Sequence, residues 1–171
     1  MSEPRRSDTV IATFHSDLYK PLADVTLPRL QKYCKLHKYD LQSENYIGDM
    51  DRIGWARFAR VADLLQHYKT VVWCDADALI TSPHRKIEDF YGDVIISADL
   101  HGTNTGVFIA RNEPLVRQLF FVINGQYGHE HFGNHPWGEQ AAFIHLTSSP
   151  PYNQLVRWVT QRSLNAYPNS E

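Results

Sequence analysis

The hydrophobic pattern changes period several times along the chain. Thr9-Val10-Ile11-Ala12-Thr13-Phe14 is a β-branched run with the composition of a buried strand. It passes at once into polar His15-Ser16-Asp17, the place after a strand where α/β sheets bind ligands. Leu27, Leu30, Cys34 and His37 stand at helical spacing and predict a helix over 27–37, with Pro28 tolerable only near its start. Residues 39–46 alternate and predict a second strand, and 48–54 read as a loop carrying Asp49, Asp51 and Arg52. Trp55, Phe58, Ala62 and Leu65 make one stripe of a helix over 55–68, with Arg57, Arg60 and Asp63 elsewhere on its surface. Strands follow at 70–74 and 93–98, separated by a short helical turn at 87–91. Residues 102–106 read as a turn and 107–110 as another strand. Asn112 as N-cap and Pro114 in the first turn open a helix through 123. Residues 125–133 form a His- and Gly-rich loop, Pro136 opens a last helix through 145, and 155–160 complete the strands. Strands alternating with helices, without repeats or low-complexity linkers, predict an α/β sandwich in one domain over 1–171.

The stretch with the most chemistry is T-V-V-W-C-D-A-D-A-L-I-T-S-P, residues 70–83. A buried strand ends on Asp75 and Asp77 with one alanine between them. As the chain leaves its pleat, side chains at i and i+2 can aim at one ligand. Two like charges that close repel, and a bound cation compensates them. An oxygen-only pair favours magnesium or manganese over zinc. The alternative is a strand-end turn with two solvated aspartates.

Composition narrows the partners. The chain is 43% hydrophobic and 21% charged with a net charge of −2, ordinary for a globular protein, and no basic face points to nucleic acid. Cys34 and Cys74 read as free core thiols rather than a disulfide. With no apolar run of membrane-spanning length and no signal-peptide core, the expectation is a soluble, cytoplasmic protein.

Three stretches taken in order resemble a known family. They are Trp55-Ala56-Arg57 leading into V-V-W-C-D-A-D-A-L-I, then D-L-H-G-T-N-T-G-V-F-I-A-R-N (99–112), then W-G-E-Q-A-A-F (137–143). Over about residues 10–167 the chain resembles glycosyltransferase family 34, the galactosyl-, mannosyl- and xylosyltransferases of GT-A fold. The resemblance implies a metal-dependent, retaining transfer of a hexose or pentose from a nucleotide-diphosphate sugar, UDP- rather than GDP-linked, to a glycan or other hydroxyl acceptor. It implies that Asp75 and Asp77 hold manganese (or magnesium) against the donor diphosphate, where a cation neutralises charge on the leaving group. Thr13 and Phe14 would line the nucleotide-base pocket, unless Thr13 is simple strand packing. Arg57 would reach the phosphates or the neighbourhood of Asp75, with a solvated helix arginine as the alternative and Arg60 as a rival.

Asp99, as a catalytic residue, and Asn104 would be the donor- and acceptor-side polar residues, with Gly106 leaving room for a close backbone approach; the alternative for Asp99 is to cap or hydrogen-bond the turn. Glu139 and Gln140 match the acidic-Gln pair at the start of the last catalytic helix. Gln140 would lie beside the anomeric centre, too weak a nucleophile for double displacement, and Glu139 would orient acceptor hydroxyls or stabilise a cationic sugar. First-turn helix polarity is the plain alternative for both. Family members usually continue to a histidine ligand and a basic residue beyond the strand that V-R-W-V-T-Q-R-S-L-N-A-Y resembles, whereas this chain ends at Glu171. The expectation is that ligands come from elsewhere, that the metal keeps more waters, or that the domain binds its donor poorly; a homodimer that supplies missing groups is a separate expectation. The His129-Glu130-His131 cluster with His135 reads as a loop of solvated histidines rather than a zinc site, and His145 as packing. Two other classes stay open: a non-catalytic nucleotide-sugar or glycan-binding domain, and a phosphohydrolase of the haloacid-dehalogenase type.

Overall fold

The structure is a computed structural model that describes residues 7–100 and 102–164, with the backbone alone at Asp51. Residues 1–6, His101 and 165–171, over which the expected domain and the ends of the resemblance run, lie outside the described residues. Strands β1 (Thr9–His15), β2 (Asp40–Asn45), β3 (Thr70–Cys74), β4 (Val94–Asp99), β5 (Gly102–Arg111) and β6 (Val156–Val159) form one mixed sheet in the order β2-β1-β3-β5-β4-β6. β1 pairs in parallel with β2 and β3, β5 runs antiparallel between β3 and β4, and β6 is parallel to β4. The helices are α1 (Lys20–His37), α2 (Ile53–Leu64), α3 (Pro114–Asn124), α4 (Gln126–Phe132), α5 (Gly138–Thr147) and α6 (Gln161–Leu164).

Both faces of the sheet are covered, so the central strands are apolar on successive residues rather than alternately. Val10, Ala12, Val71, Trp73, Ile96 and Phe108 face α2, α3 and α5, where Phe58, Phe120 and Phe143 pack. Ile11, Val72, Cys74, Ile95 and Ile109 face the other way, onto Leu30, Tyr33 and Cys34 of α1 and onto Ile87 and Phe90. No helix among the described residues is long and apolar enough to cross a membrane.

Several expected elements differ. α1 begins at Lys20 rather than 27, with Pro21 in its first turn and Pro28 in its interior. Pro28 and Asp24 are both exposed, so the proline and the carbonyl it leaves unbonded lie on the solvent side of the helix. Residues 125–133 are not a loop: they form α4. The glycines there serve packing, since a methyl on Gly128 would overlap the Ile123 carbonyl oxygen. The histidines are engaged, His129 with its ring 4.3 Å from Trp55 and His131 stacked 4.3 Å from Tyr127. The cap of α3 is Glu113, while Asn112 donates to the Tyr68 carbonyl and accepts from Arg117.

Residues 102–106 are strand, not turn, but their register is broken. Ile96 faces Phe108 and the next residue, Ser97, faces Asn104. Thr105, Gly106 and Val107 therefore bulge away from β4 at the level where β3 ends.

Candidate active site

β3 turns out of the sheet immediately after Cys74, with the Ala78 amide bonded to the Asp75 carbonyl at 2.9 Å. The turn is tied down on both sides. The Asp75 amide donates to the Gly106 carbonyl on the bulge (2.8 Å), and Thr26 of α1 donates its hydroxyl to the Ala76 carbonyl (2.6 Å). Asp75 thus returns to the α2 face of the sheet, while Asp77, two residues on, stands more open to solvent.

Arg57 organises what lies beneath. It belongs to α2, yet it is 9% exposed, so it lies inside rather than off the apolar stripe as the spacing predicts. Its Nη1 donates to both oxygens of Asp75 at 3.1 Å, and its Nη2 donates to Glu139 at 2.5 Å and to the Thr105 hydroxyl at 2.9 Å. Burial on its own would lower the guanidinium pKa; Asp75 and Glu139 outweigh it and hold the group above its usual range. Trp73 adds an indole N–H to Asp75 at 2.6 Å.

Two glycines make room for these carboxylates. A methyl on Gly54, in the first turn of α2, would overlap the Glu139 carboxylate, and one on Gly106 would lie 3.0 Å from both Asp75 and Asn104 side-chain oxygens. Gly138 opens α5 at φ +41° against the Trp55 indole, which sets Glu139 and Gln140 on the first turn.

A cleft of about 630 Å3 opens above this network. The structure brings Phe14, Arg57, Asp75, Asp77, Glu139 and Gln140 together on its walls. Phe14 stacks on Tyr46 at 5.7 Å and meets Trp73 edge-on at 5.0 Å. Thr13 lies on the opposite side of β1, buried and outside the cleft. Asp99 and Asn104 also stand off the walls: the Asn104 amide donates to Asp99 at 2.6 Å and its carbonyl accepts the Gly106 N–H at 2.8 Å. That pair sits on the bulge next to Asp75: a methyl on Gly106 would touch the side-chain oxygens of Asn104 and Asp75 alike. Arg60 is spent on Gln42, Glu44 and Asp63.

Sequence reasoning missed Thr105, whose signal was its place between Asn104 and Gly106, and Trp73, which reads as core. His15 and Ser16, in the polar turn after β1 marked as a ligand-binding place, line the cleft. The His15 Nδ1 and Ser16 Oγ atoms are buried with no hydrogen-bond partner among the described residues.

The cleft floor has a charge imbalance. Asp75, Asp77 and Glu139 carry three formal negative charges against the single guanidinium of Arg57, the one Lys or Arg lining the cleft among the described residues. Partial burial pushes the Asp77 carboxyl upward, and the Asp75 charge adds to the shift. No three His, Cys, Asp or Glu side chains converge as a metal-ligand set among the described residues. The two aspartates still fit a hard divalent cation: they are oxygen donors on a floor with two uncompensated negative charges.

No protein-family model matches the chain, and none of the curated proteins does. Solved structures do. A glycosyltransferase involved in glycosylation of the major capsid of PBCV-1 superposes with a TM-score of 0.71 at 14% identity, over 90% of this chain and 82% of that one. The galactosyltransferase LgtC, solved with donor and acceptor sugar analogs, gives 0.58 at 12% identity, over 90% and 74%. The glycosyltransferase GlyE of Streptococcus pneumoniae TIGR4 gives 0.57 at 15%, this chain spanning 46% of its length. A Drosophila β1,4-galactosyltransferase 7 mutant in complex with manganese, UDP-Gal and xylobiose gives 0.53 at 13%, over 95% and 68%. The six-stranded mixed sheet with helices on both faces is the GT-A glycosyltransferase fold.

Proposed function

We propose that the chain is a metal-dependent glycosyltransferase that moves a hexose or pentose from a nucleotide-diphosphate sugar, UDP-linked in preference to GDP-linked, to a glycan or other hydroxyl acceptor. The observation that carries the reading is the charge pattern of the cleft. A diphosphate entering a floor with two surplus negative charges, whose one guanidinium is already shared by two carboxylates, requires a cation between them. Asp75 and Asp77 would hold manganese or magnesium there, and the metal would neutralise charge on the leaving diphosphate. The stacked Phe14 and Tyr46, with the orphaned His15 Nδ1 and Ser16 Oγ beside them, suit the flat, hydrogen-bonding base of a nucleotide. The ligands bound in two structural neighbours, a donor sugar analog and UDP-Gal, agree in kind.

Retention is the stereochemical outcome we favour. Arg57 donates to both oxygens of Asp75 and to one of Glu139, which anchors the two carboxylates as partners of the guanidinium. In a front-face displacement the acceptor oxygen bonds to the anomeric carbon as the carbon–oxygen bond to phosphate breaks. The acceptor proton passes to the departing phosphate oxygen. Glu139 and Arg57 hold the floor of the site during that step. The ordered triple of motifs supports placement in family 34, as one GT-A unit over 1–171.

The test is a thermal-shift titration of UDP and GDP, with and without manganese, on wild type and Asp77→Asn. A ligand at a hundred times its dissociation constant stabilises the fold by about 2.7 kcal/mol, which for a chain of this size raises Tm by roughly 5–10 °C. A manganese-dependent rise with UDP that Asp77→Asn abolishes is expected. No rise with either nucleotide would defeat the reading.

A further inference from the structure

Gln140 and Thr105 share two hydrogen bonds whose direction chemistry fixes. The backbone N–H of Thr105 can only donate, so its partner at 3.2 Å is the side-chain carbonyl oxygen of Gln140. The Thr105 hydroxyl already accepts from Arg57, a group with no acceptor, at 2.9 Å. Its one proton is therefore directed to the same Gln140 oxygen, 3.1 Å away. Both lone pairs of that oxygen are filled. The Gln140 amide nitrogen, with two N–H groups, has no partner among the described residues, and the side chain lines the cleft. An amide flip would set NH2 against the Thr105 N–H, donor against donor.

We infer that Gln140 works as a hydrogen-bond donor to an oxygen of the nucleotide sugar, and that Thr105 is the positioning residue that fixes this orientation. The inference rests on the nucleotide-sugar reading above and narrows it. A Gln140 oxygen held by two donors is withdrawn from the anomeric carbon, so no glycosyl–Gln140 bond forms. What the substrate meets is an N–H pair, complementary to a sugar hydroxyl or a phosphate oxygen. Because Thr105 also accepts from Arg57, the side chain that aims Gln140 is held by the guanidinium that Asp75 and Glu139 anchor.

Two measurements test it. In the ligand-free protein, amide hydrogen exchange at Thr105 reads the orientation directly. Gln140→Met removes the acceptor and speeds Thr105 exchange at least tenfold, whereas Gln140→Glu, which keeps an acceptor oxygen, does not. An unchanged Thr105 rate in Gln140→Met, with other β5 amides intact, would overturn the assigned orientation. The second measurement is calorimetric titration of UDP, UDP-galactose and UDP-glucose in manganese. Gln140→Glu turns a carboxylate oxygen toward the ligand and weakens binding by roughly tenfold. A loss confined to the sugar nucleotides identifies a sugar hydroxyl as the partner, and an equal loss with UDP identifies phosphate. Thr105→Val weakens binding in the same pattern, and Thr105→Ser restores it. Wild-type affinity in Gln140→Glu, or a glycosyl adduct on Gln140 found by mass spectrometry, refutes the donor role. If wild type binds UDP but neither sugar nucleotide, the sugar form of the proposal falls while the nucleotide reading stands. If it binds none of the three, the functional reading fails and the donor role with it, while hydrogen exchange still decides the orientation.

Discussion

Replacing Arg57 by methionine isolates the electrostatics of the site, because methionine occupies much of the arginine stem and leaves no large cavity. What disappears is the one cation that Asp75 and Glu139 share. Breaking a buried ion pair from one side costs about 3–5 kcal/mol, since the remaining charge is left without compensation. The two partners are unequal: the Glu139 side chain is 13% exposed and that of Asp75 is 36% exposed. Water screens the second far more than the first, which puts the expected loss near the lower end, about 3 kcal/mol. For a chain of this length that lowers Tm by roughly 9 °C. Urea unfolding followed by circular dichroism at pH 7 measures it, with an unchanged m-value. The double variant Arg57→Met/Glu139→Gln removes the most buried orphaned charge and should recover more than half of the loss. A single-variant loss below about 1 kcal/mol, or a double variant no more stable than the single, would show that the carboxylates are solvated and the network contributes little.

Three further outcomes follow from packing and burial. Gly106→Ala places a methyl 3.0 Å from Asp75 and Asn104 oxygens, so the manganese-dependent UDP shift should fall sharply while urea unfolding loses only about 1 kcal/mol. Gly128→Ala overlaps the Ile123 backbone, which cannot yield as a side chain does; chemical denaturation should show a loss of about 2–3 kcal/mol or more. Burial pushes both the Cys34 and Cys74 thiols up to about 12. Neither thiolate forms near neutrality, and iodoacetamide at pH 8 should label them only when the protein opens. In the unfolded chain these thiols ionise near their ordinary value of about 8.5. The unfolded state therefore binds fewer protons above that pH, and stability present below it is lost as pH rises toward about 12. Stability that holds level through pH 11 in a denaturant titration would contradict the shifts.

The central strands were legible where their composition is dominated by burial on both faces. Thr70–Cys74 stands where the β-branched run placed it, ending on Asp75. The helix that carries Arg57 was legible from its aromatic and aliphatic stripe, though burial takes in Val61 and Leu64 and leaves Ala62 partly exposed. Glu139 and Gln140 fall on the first turn of α5, as Pro136 and the motif implied. Local composition misled where glycine answered a distant atom: Gly128 fits the Ile123 backbone, and the glycines around it read as loop.

The sequence by itself determined the alternation of elements, the two-sided core and the position of an aspartate pair at a strand end. These depend on period and on neighbours a few residues apart. The tertiary structure alone decided which polar residues share a site. Arg57 is drawn inward against its helical stripe because carboxylates 18 and 82 residues away converge on it. The β5 bulge brings Thr105 to Gln140, 35 residues away, and Thr13 is turned to the other face by strand alternation. Such pairings arise from sheet register and helix packing, to which spacing along the chain is blind.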